Sequence, residues 1–231
     1  KDGGTDIKKG VTLFCENNQA LKIQAIDDIG HFTANALKAM FAKAKQFTQF
    51  LEIVFKGAAR IRQTKFAQLL PPKIRSKGRF QSISHVTNWA QKLLTFIGGQ
   101  GQAKEGSDLS RVRKAFSGLT KLRHFLASFS NICTITDDFQ KLMKNEGLNQ
   151  ASYAQAKNIL GKLPKRSLVK IRLLVWLEKH INIHRALGIG DLSLLVSSDV
   201  LESLFGKFKT IIQRNPLCEL NRLLYIIPLL C

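Results

Sequence analysis

Three acidic clusters at turns are where this sequence could do chemistry. The first is Asp2-Gly3-Gly4-Thr5-Asp6, where Asp2 sits directly before flexible glycines and a helix start. A carboxylate there can hold a metal ion, and it can equally be a plain cap on a solvated turn. The second is Asp27-Asp28-Ile29-Gly30-His31, in which Asp28 can orient the His31 imidazole or cap the helix that His31 enters. The third runs from Ser197 to Lys209 and holds Asp199, Glu202, Phe205, Lys207 and Lys209. On a helix, Asp199 and Glu202 lie one turn apart and share a face with Phe205. Asp199 is accounted for as a first-turn dipole partner behind a Ser198 cap. Glu202 is not, and burying it beside Phe205 would be costly unless it were paired or metal-bound, so a partner is expected for it.

Two other patterns have plainer readings. His180 and His184 have the i, i+4 spacing of a metal pair, but no Glu follows His180 in the HExxH manner, and a surface pair near a helix end is expected. Cys15, Cys133, Cys218 and Cys231 form no CxxC pair and lie at no zinc-ligand spacing from a histidine. Reduced, buried thiols of an intracellular protein are expected. No stretch of about 18 apolar residues could cross a bilayer, because the apolar tail from Leu220 is short and carries Arg222 and Pro228.

Charge points to the partner. The 231 residues hold 36 Lys and Arg against 16 Asp and Glu, a net charge of +20 that favours a polyanion. The bias is concentrated: no acidic residue lies between Glu52 and Glu105, whereas Arg60, Arg62, Lys65, Lys73, Arg75, Lys77 and Arg79 all fall inside. Lys73 to Arg79 follows the stiff Pro71-Pro72 pair as an extended basic arm suited to a phosphate backbone. Lys207 and Lys209 add a second basic site near the far end.

Helical periodicity dominates the elements that must position these groups. Helices are expected at Asp6–Asn17, across Gly30–Phe66 as two helices with a break near Gln46, and at Ile83–Ile97. Further helices are expected at Leu109–Ser130 (capped by Asp108), Thr136–Glu146 (capped by Thr136), Ala151–Leu160, Ser167–Leu187 and Ser197–Gln213. Ala20 to Ile26 alternates apolar and polar residues and predicts a strand. Trp176, among leucines, belongs to the core.

In order and spacing, the three acidic clusters resemble the catalytic core of DDE-type transposases, as in the hAT-type and bacterial insertion-sequence enzymes. In that resemblance Asp2 matches the second catalytic carboxylate. Asp28-Ile29-Gly30-His31 stands where those enzymes carry a Cys-x-x-His or Asp-x-x-His element, with Ala34, Leu37 and Lys38 continuing the likeness. Glu202 matches the third carboxylate. The resemblance implies a mainly α protein with a small β remnant: an incomplete ribonuclease H-like core split by a large all-helical insertion. Residues 1–39 and 196–231 would belong to the core, and 40–195 to the basic insertion. It further implies magnesium or manganese held by Asp2 and Glu202, support from Asp28 and His31, and DNA as transposon ends and target. A homo-oligomer in the cytoplasm or nucleoid completes the expectation. Trp89 becomes a candidate for stacking on an unpaired base, against the commoner role of a core tryptophan. The first catalytic Asp would lie upstream of Lys1, so the set is expected to be incomplete and the chain inactive alone. The rival reading is a non-catalytic helical nucleic-acid-binding module. A membrane-surface helix is disfavoured because the basic arm sits beside prolines rather than on an amphipathic face.

Overall fold

A computed structural model of the protein describes residues 5–20, 23–74, 78–98 and 101–211. The described chain is mainly helical. Its α-helices are α1 (Thr5–Asn17), α2 (Ile29–Phe41), α3 (Lys45–Ile61), α4 (Ile83–Gly98), α5 (Asp108–Ala115), α6 (Arg123–Glu146), α7 (Gln150–Gly161), α8 (Leu168–Leu187) and α9 (Asp199–Ile211). The chain divides into two compact units: Lys1–Asp28 with Leu195–Cys231, and Ile29–Leu194. The divisions fall at 28/29 and 194/195, where the sequence reading places its own at 39/40 and 195/196.

The larger unit is an all-helical body built from apolar stripes at helical spacing. On α3, Phe47, Phe50, Leu51, Val54, Ala58 and Ile61 recur at three and four residues and are all buried. On α6 the stripe runs Leu126, Phe129, Ile132, Phe139 and Met143. α4 and α7 pack on α6, and α2 packs on α8. Aromatic rings fill the centre: Phe129 meets Phe41 at 4.4 Å and Phe47 at 5.6 Å between centroids. Trp176, 1% exposed, stands edge-on to Phe139. Each such buried ring is worth about 1.5–3 kcal/mol of transfer free energy.

Backbone devices close the unit. Asn149 and Ser152 form a reciprocal capping box at the start of α7. Leu148 and Leu194 exchange both backbone hydrogen bonds as an antiparallel bridge. Gly147 precedes that bridge at φ +66°, and a Cβ there would come within 2.8 Å of Ser193 Cβ and 3.0 Å of the Leu194 carbonyl oxygen. Arg113 donates to the carbonyls of Ile97 and Gly101, tying α5 to the end of α4 and the loop after it.

Several expectations are corrected. Ile23 to Asp28 has no regular secondary structure rather than forming a strand, since the alternation that ends at Ile26 meets no partner strand among the described residues; Leu21 and Lys22 lie outside the described residues. The stretch expected as one helix from Leu109 breaks at Phe116, passes through a 3₁₀ segment at Ser117–Leu122 and re-forms as α6. Close packing sets that break: a Cβ on Gly57 would meet the Phe116 ring at 2.2 Å, and one on Gly118 would meet Ile53 at 2.6 Å. Thr136 is no cap. It lies inside α6, where its hydroxyl donates to the Ile132 and Cys133 carbonyls. Ser107, not Asp108, caps α5, accepting from the Ser110 amide.

Candidate functional site

The smaller unit brings two of the sequence-predicted acids to one oxygen. The Asp28 carboxylate, 5% exposed, accepts from the Ser198 backbone N–H at 2.7 Å and from the Ser198 hydroxyl at 3.0 Å, across 170 residues of sequence. The same hydroxyl lies 2.9 Å from Oε1 of Glu202. Asp28 and Glu202 are therefore each one hydrogen bond from Ser198 Oγ, and no more than about 6 Å from each other. A serine hydroxyl carries one hydrogen, so it serves one carboxylate at a time. Local sequence explains the placement: Ser198 directly precedes α9, and Glu202 stands one turn later, its amide bonded to the Ser198 carbonyl.

Other expected members fall elsewhere. Glu202 is exposed, and the Ser198 hydroxyl lies 2.9 Å from its carboxylate, where a partner is expected. Asp199 is exposed, and its backbone N–H donates to Ser197 Oγ at 3.2 Å. Lys207 is exposed on α9. Asp2, Arg75 and Lys77 lie outside the described residues, as do the side chains of Phe205 and Lys209, so the meeting of Asp2 with Glu202 lies outside them too. Among the described residues, no group of three or more His, Cys, Asp or Glu side chains is arranged to hold a metal ion.

In the larger unit, His31 lines a cavity of about 350 Å³ together with Asn35 and Lys38 from the same face of α2, and with Arg79 and Gln81. No acidic side chain lines it. The Arg79 Nε is buried and has no hydrogen-bond partner among the described residues. Two residues proposed from separate motifs, His31 and Arg79, thus share one opening. Lys73 is exposed just before this cavity's Gly78 to Gln81 segment.

Arg60, Arg62 and Lys65 are exposed at and beyond the end of α3. Arg60 and Lys65 line a second cavity, of about 530 Å³, with Arg111 and Lys114 of α5. Sequence reading missed the last two because α5 reads there as an ordinary solvated helix; only the packing of α3 against α5 turns their charges toward Arg60. Trp89 is half-buried, donates its indole N–H to the Leu69 carbonyl at 3.0 Å and stands edge-on to Phe116. Its polar and apolar faces are both used in packing.

Of the expectations about unreactive groups, that for the histidine pair changes, while the buried thiol expected at Cys133 is found and Cys15 departs from it. His180 and His184 are buried, not a surface pair: His180 Nδ1 lies 2.7 Å from the Trp176 carbonyl and its ring stacks on Trp176, while His184 Nε2 lies 2.8 Å from the Leu192 carbonyl. Cys133 is a buried free thiol, pushed well above the usual range by burial first and by nearby Asp137 second. Cys15 is only half-buried, and Cys218 and Cys231 lie outside the described residues. Among the described residues, no helix is long and apolar enough to cross a membrane. Comparison with protein-family models, with curated proteins and with solved structures finds no match to this chain.

Proposed function

We propose that this chain is part of a DDE-type transposase, a metal-dependent enzyme of DNA strand cleavage and strand transfer. Its ribonuclease H-like core would be interrupted by the basic helical unit, and it would act as a homo-oligomer on transposon ends and target DNA in the cytoplasm or nucleoid. The observation that supports this reading is the Ser198 hydroxyl, which lies within hydrogen-bond distance of both Asp28, the first residue of the Asp-x-x-His element, and Glu202.

In this reading Asp2 and Glu202 hold magnesium or manganese. Hard carboxylate oxygens are the donor type such ions take, and the exposure of Glu202 lets a hydrated ion reach it. Bound there, such ions would supply Lewis-acid charge stabilisation for displacement at phosphorus. The protein's own residues do the rest. Buried Asp28 anchors Ser198 through its amide and hydroxyl, and that turn sets the start of α9 from which Glu202 projects. His31, Lys38 and Arg79 present donors to a phosphate from their cavity.

The test uses the protein expressed from its complete reading frame, with magnesium and DNA carrying the element's own ends. Cleavage is expected from the parent protein and from Asp199→Ala, and loss of cleavage with retained DNA binding is expected from Glu202→Ala. Undiminished cleavage by Glu202→Ala refutes the proposal. A second reading, a non-catalytic nucleic-acid-binding module, is favoured by the cationic cavities of the larger unit alone. Tight DNA binding with no cleavage by any form selects it.

A further inference from the structure

The cavity between the end of α3 and α5 has a composition that specifies a ligand. Four cationic side chains, Arg60, Lys65, Arg111 and Lys114, stand around a floor of buried Ile61 and Phe66. Its volume of about 530 Å³ falls in the range of small-ligand sites. Arg60 is aimed in advance, its Nη1 donating to the Lys114 carbonyl at 3.3 Å. Lys65 is held over the Phe66 ring at 5.6 Å and paired with Asp108 at 2.7 Å. Arg111 and Lys114 are exposed and have no ion pair among the described residues. Cations above an apolar floor suit an anion with a flat or apolar group attached, rather than a bare ion. With 20 more positive than negative charges on the chain, the polyanion that supplies such units is nucleic acid.

We infer that this cavity is a nucleic-acid subsite that seats one backbone phosphate against Arg60, Arg111 and Lys114, with the attached sugar and base over Ile61 and Phe66. Asp108 is its built-in competitor: it occupies the Lys65 ammonium until a phosphate takes its place. The inference rests on the nucleic-acid part of the proposed function and not on its chemistry, so a metal-free binding experiment separates the two.

The experiment titrates the whole chain with a fluorescently labelled DNA duplex in EDTA over a series of salt concentrations. Arg111→Ala with Lys114→Ala is expected to weaken binding roughly tenfold and to lower the salt slope by about one or more. Lys165→Ala with Arg166→Ala removes the same charge from an exposed turn elsewhere and is expected to cost much less. Asp108→Asn is expected to tighten binding several-fold, beyond Asp138→Asn, which removes an exposed carboxylate remote in sequence. Equal losses from the two double variants, or equal effects of the two aspartate changes, overturn the subsite. Competition with a deoxymononucleotide, inorganic phosphate and polyglutamate distinguishes the sources. Displacement by unlabelled duplex at far lower nucleotide concentration than by mononucleotide supports it. A mononucleotide or polyglutamate that competes as well as the duplex overturns it in favour of a free nucleotide or an acidic peptide.

Discussion

Ser198→Ala tests the junction of the candidate site. The substitution deletes one oxygen that stands between a buried carboxylate and an exposed one. Asp28 keeps the position-198 amide at 2.7 Å but loses its second donor. A hydrogen bond to a charged group contributes about 1.5–3 kcal/mol, and the loss counts most where water cannot replace it. Glu202 is open to solvent, so water substitutes for the hydroxyl there and the contact is worth about 0.5 kcal/mol or less. The single hydroxyl hydrogen therefore goes to Asp28, and Ser198→Ala is expected to cost about 1.5–2 kcal/mol, nearly all of it through Asp28.

Double-mutant cycles in urea separate the two couplings. Ser198→Ala with Asp28→Ala is expected to give a coupling of about 1 kcal/mol or more, and Ser198→Ala with Glu202→Ala less than about 0.5 kcal/mol. Hydrogen exchange of the position-198 amide supplies a local readout, since its acceptor is Asp28: protection should survive Ser198→Ala and vanish in Asp28→Ala. The reverse order of couplings would mean that the hydroxyl is committed to Glu202. That result would refute the view that the Ser198 hydroxyl serves Asp28 and so anchors the turn.

Other consequences follow from packing and charge. Gly57→Ala gains up to about 1 kcal/mol of helix propensity, but its Cβ would meet a fully buried Phe116 ring at 2.2 Å, so a net loss of about 1–2 kcal/mol is expected by thermal unfolding. Gly161→Ala, with nothing within 4 Å, is the control and should stabilise. The Asp137 carboxyl is held above the ordinary carboxylate range chiefly by burial, which outweighs its Ser84 hydrogen bond and the Lys141 charge. The folded state thus keeps that proton where the unfolded state has lost it, so stability falls as pH rises from the ordinary carboxylate pKa through the raised one. Asp137→Asn should flatten that decline in unfolding experiments across pH; an unchanged profile would show that another group causes it. Arg79→Met removes a buried, unpaired donor and should raise the melting temperature while weakening DNA binding. Cys133 should resist alkylation, followed by peptide mass spectrometry, until the protein unfolds.

Helices were legible where an apolar stripe repeats over three or more turns, as on α3 and α8, and so was the break that separates α2 from α3. What was not legible depends on partners distant in sequence. Thr136 carries a capping residue's hydroxyl, yet a hydroxyl can also bond back to the carbonyl four residues earlier, and only the continuing stripe of α6 shows which it does. Ala20 to Ile26 has a strand's alternation, but alternation describes two faces and supplies no ladder. His180 and His184 read as surface residues because imidazole is polar; carbonyls of Trp176 and Leu192 satisfy them in the core.

The same division applies to the candidate sites. With 36 cationic and 16 acidic side chains, at least 20 cations can have no one-to-one acidic partner in any fold of this chain, so a strong positive field follows from composition alone. Composition does not say where that field concentrates. Arg111 and Lys114 are no more basic than Lys165 and Arg166, and nothing local distinguishes them. The distinction comes from Gly57 and Gly118, whose missing side chains admit Phe116 and Ile53 and so let the chain turn tightly where α5 packs on α3. That packing brings two helix surfaces with unrelated sequence positions around one apolar floor. Glu202 and Asp28 repeat the argument with the opposite charge: each alone reads as a helix-end acid, and only Ser198 makes them one site. If the close approach at Phe116 is relaxed by Gly57→Ala, the cationic cavity should lose its shape and its preference for DNA over polyglutamate should fall, even though no charge has changed.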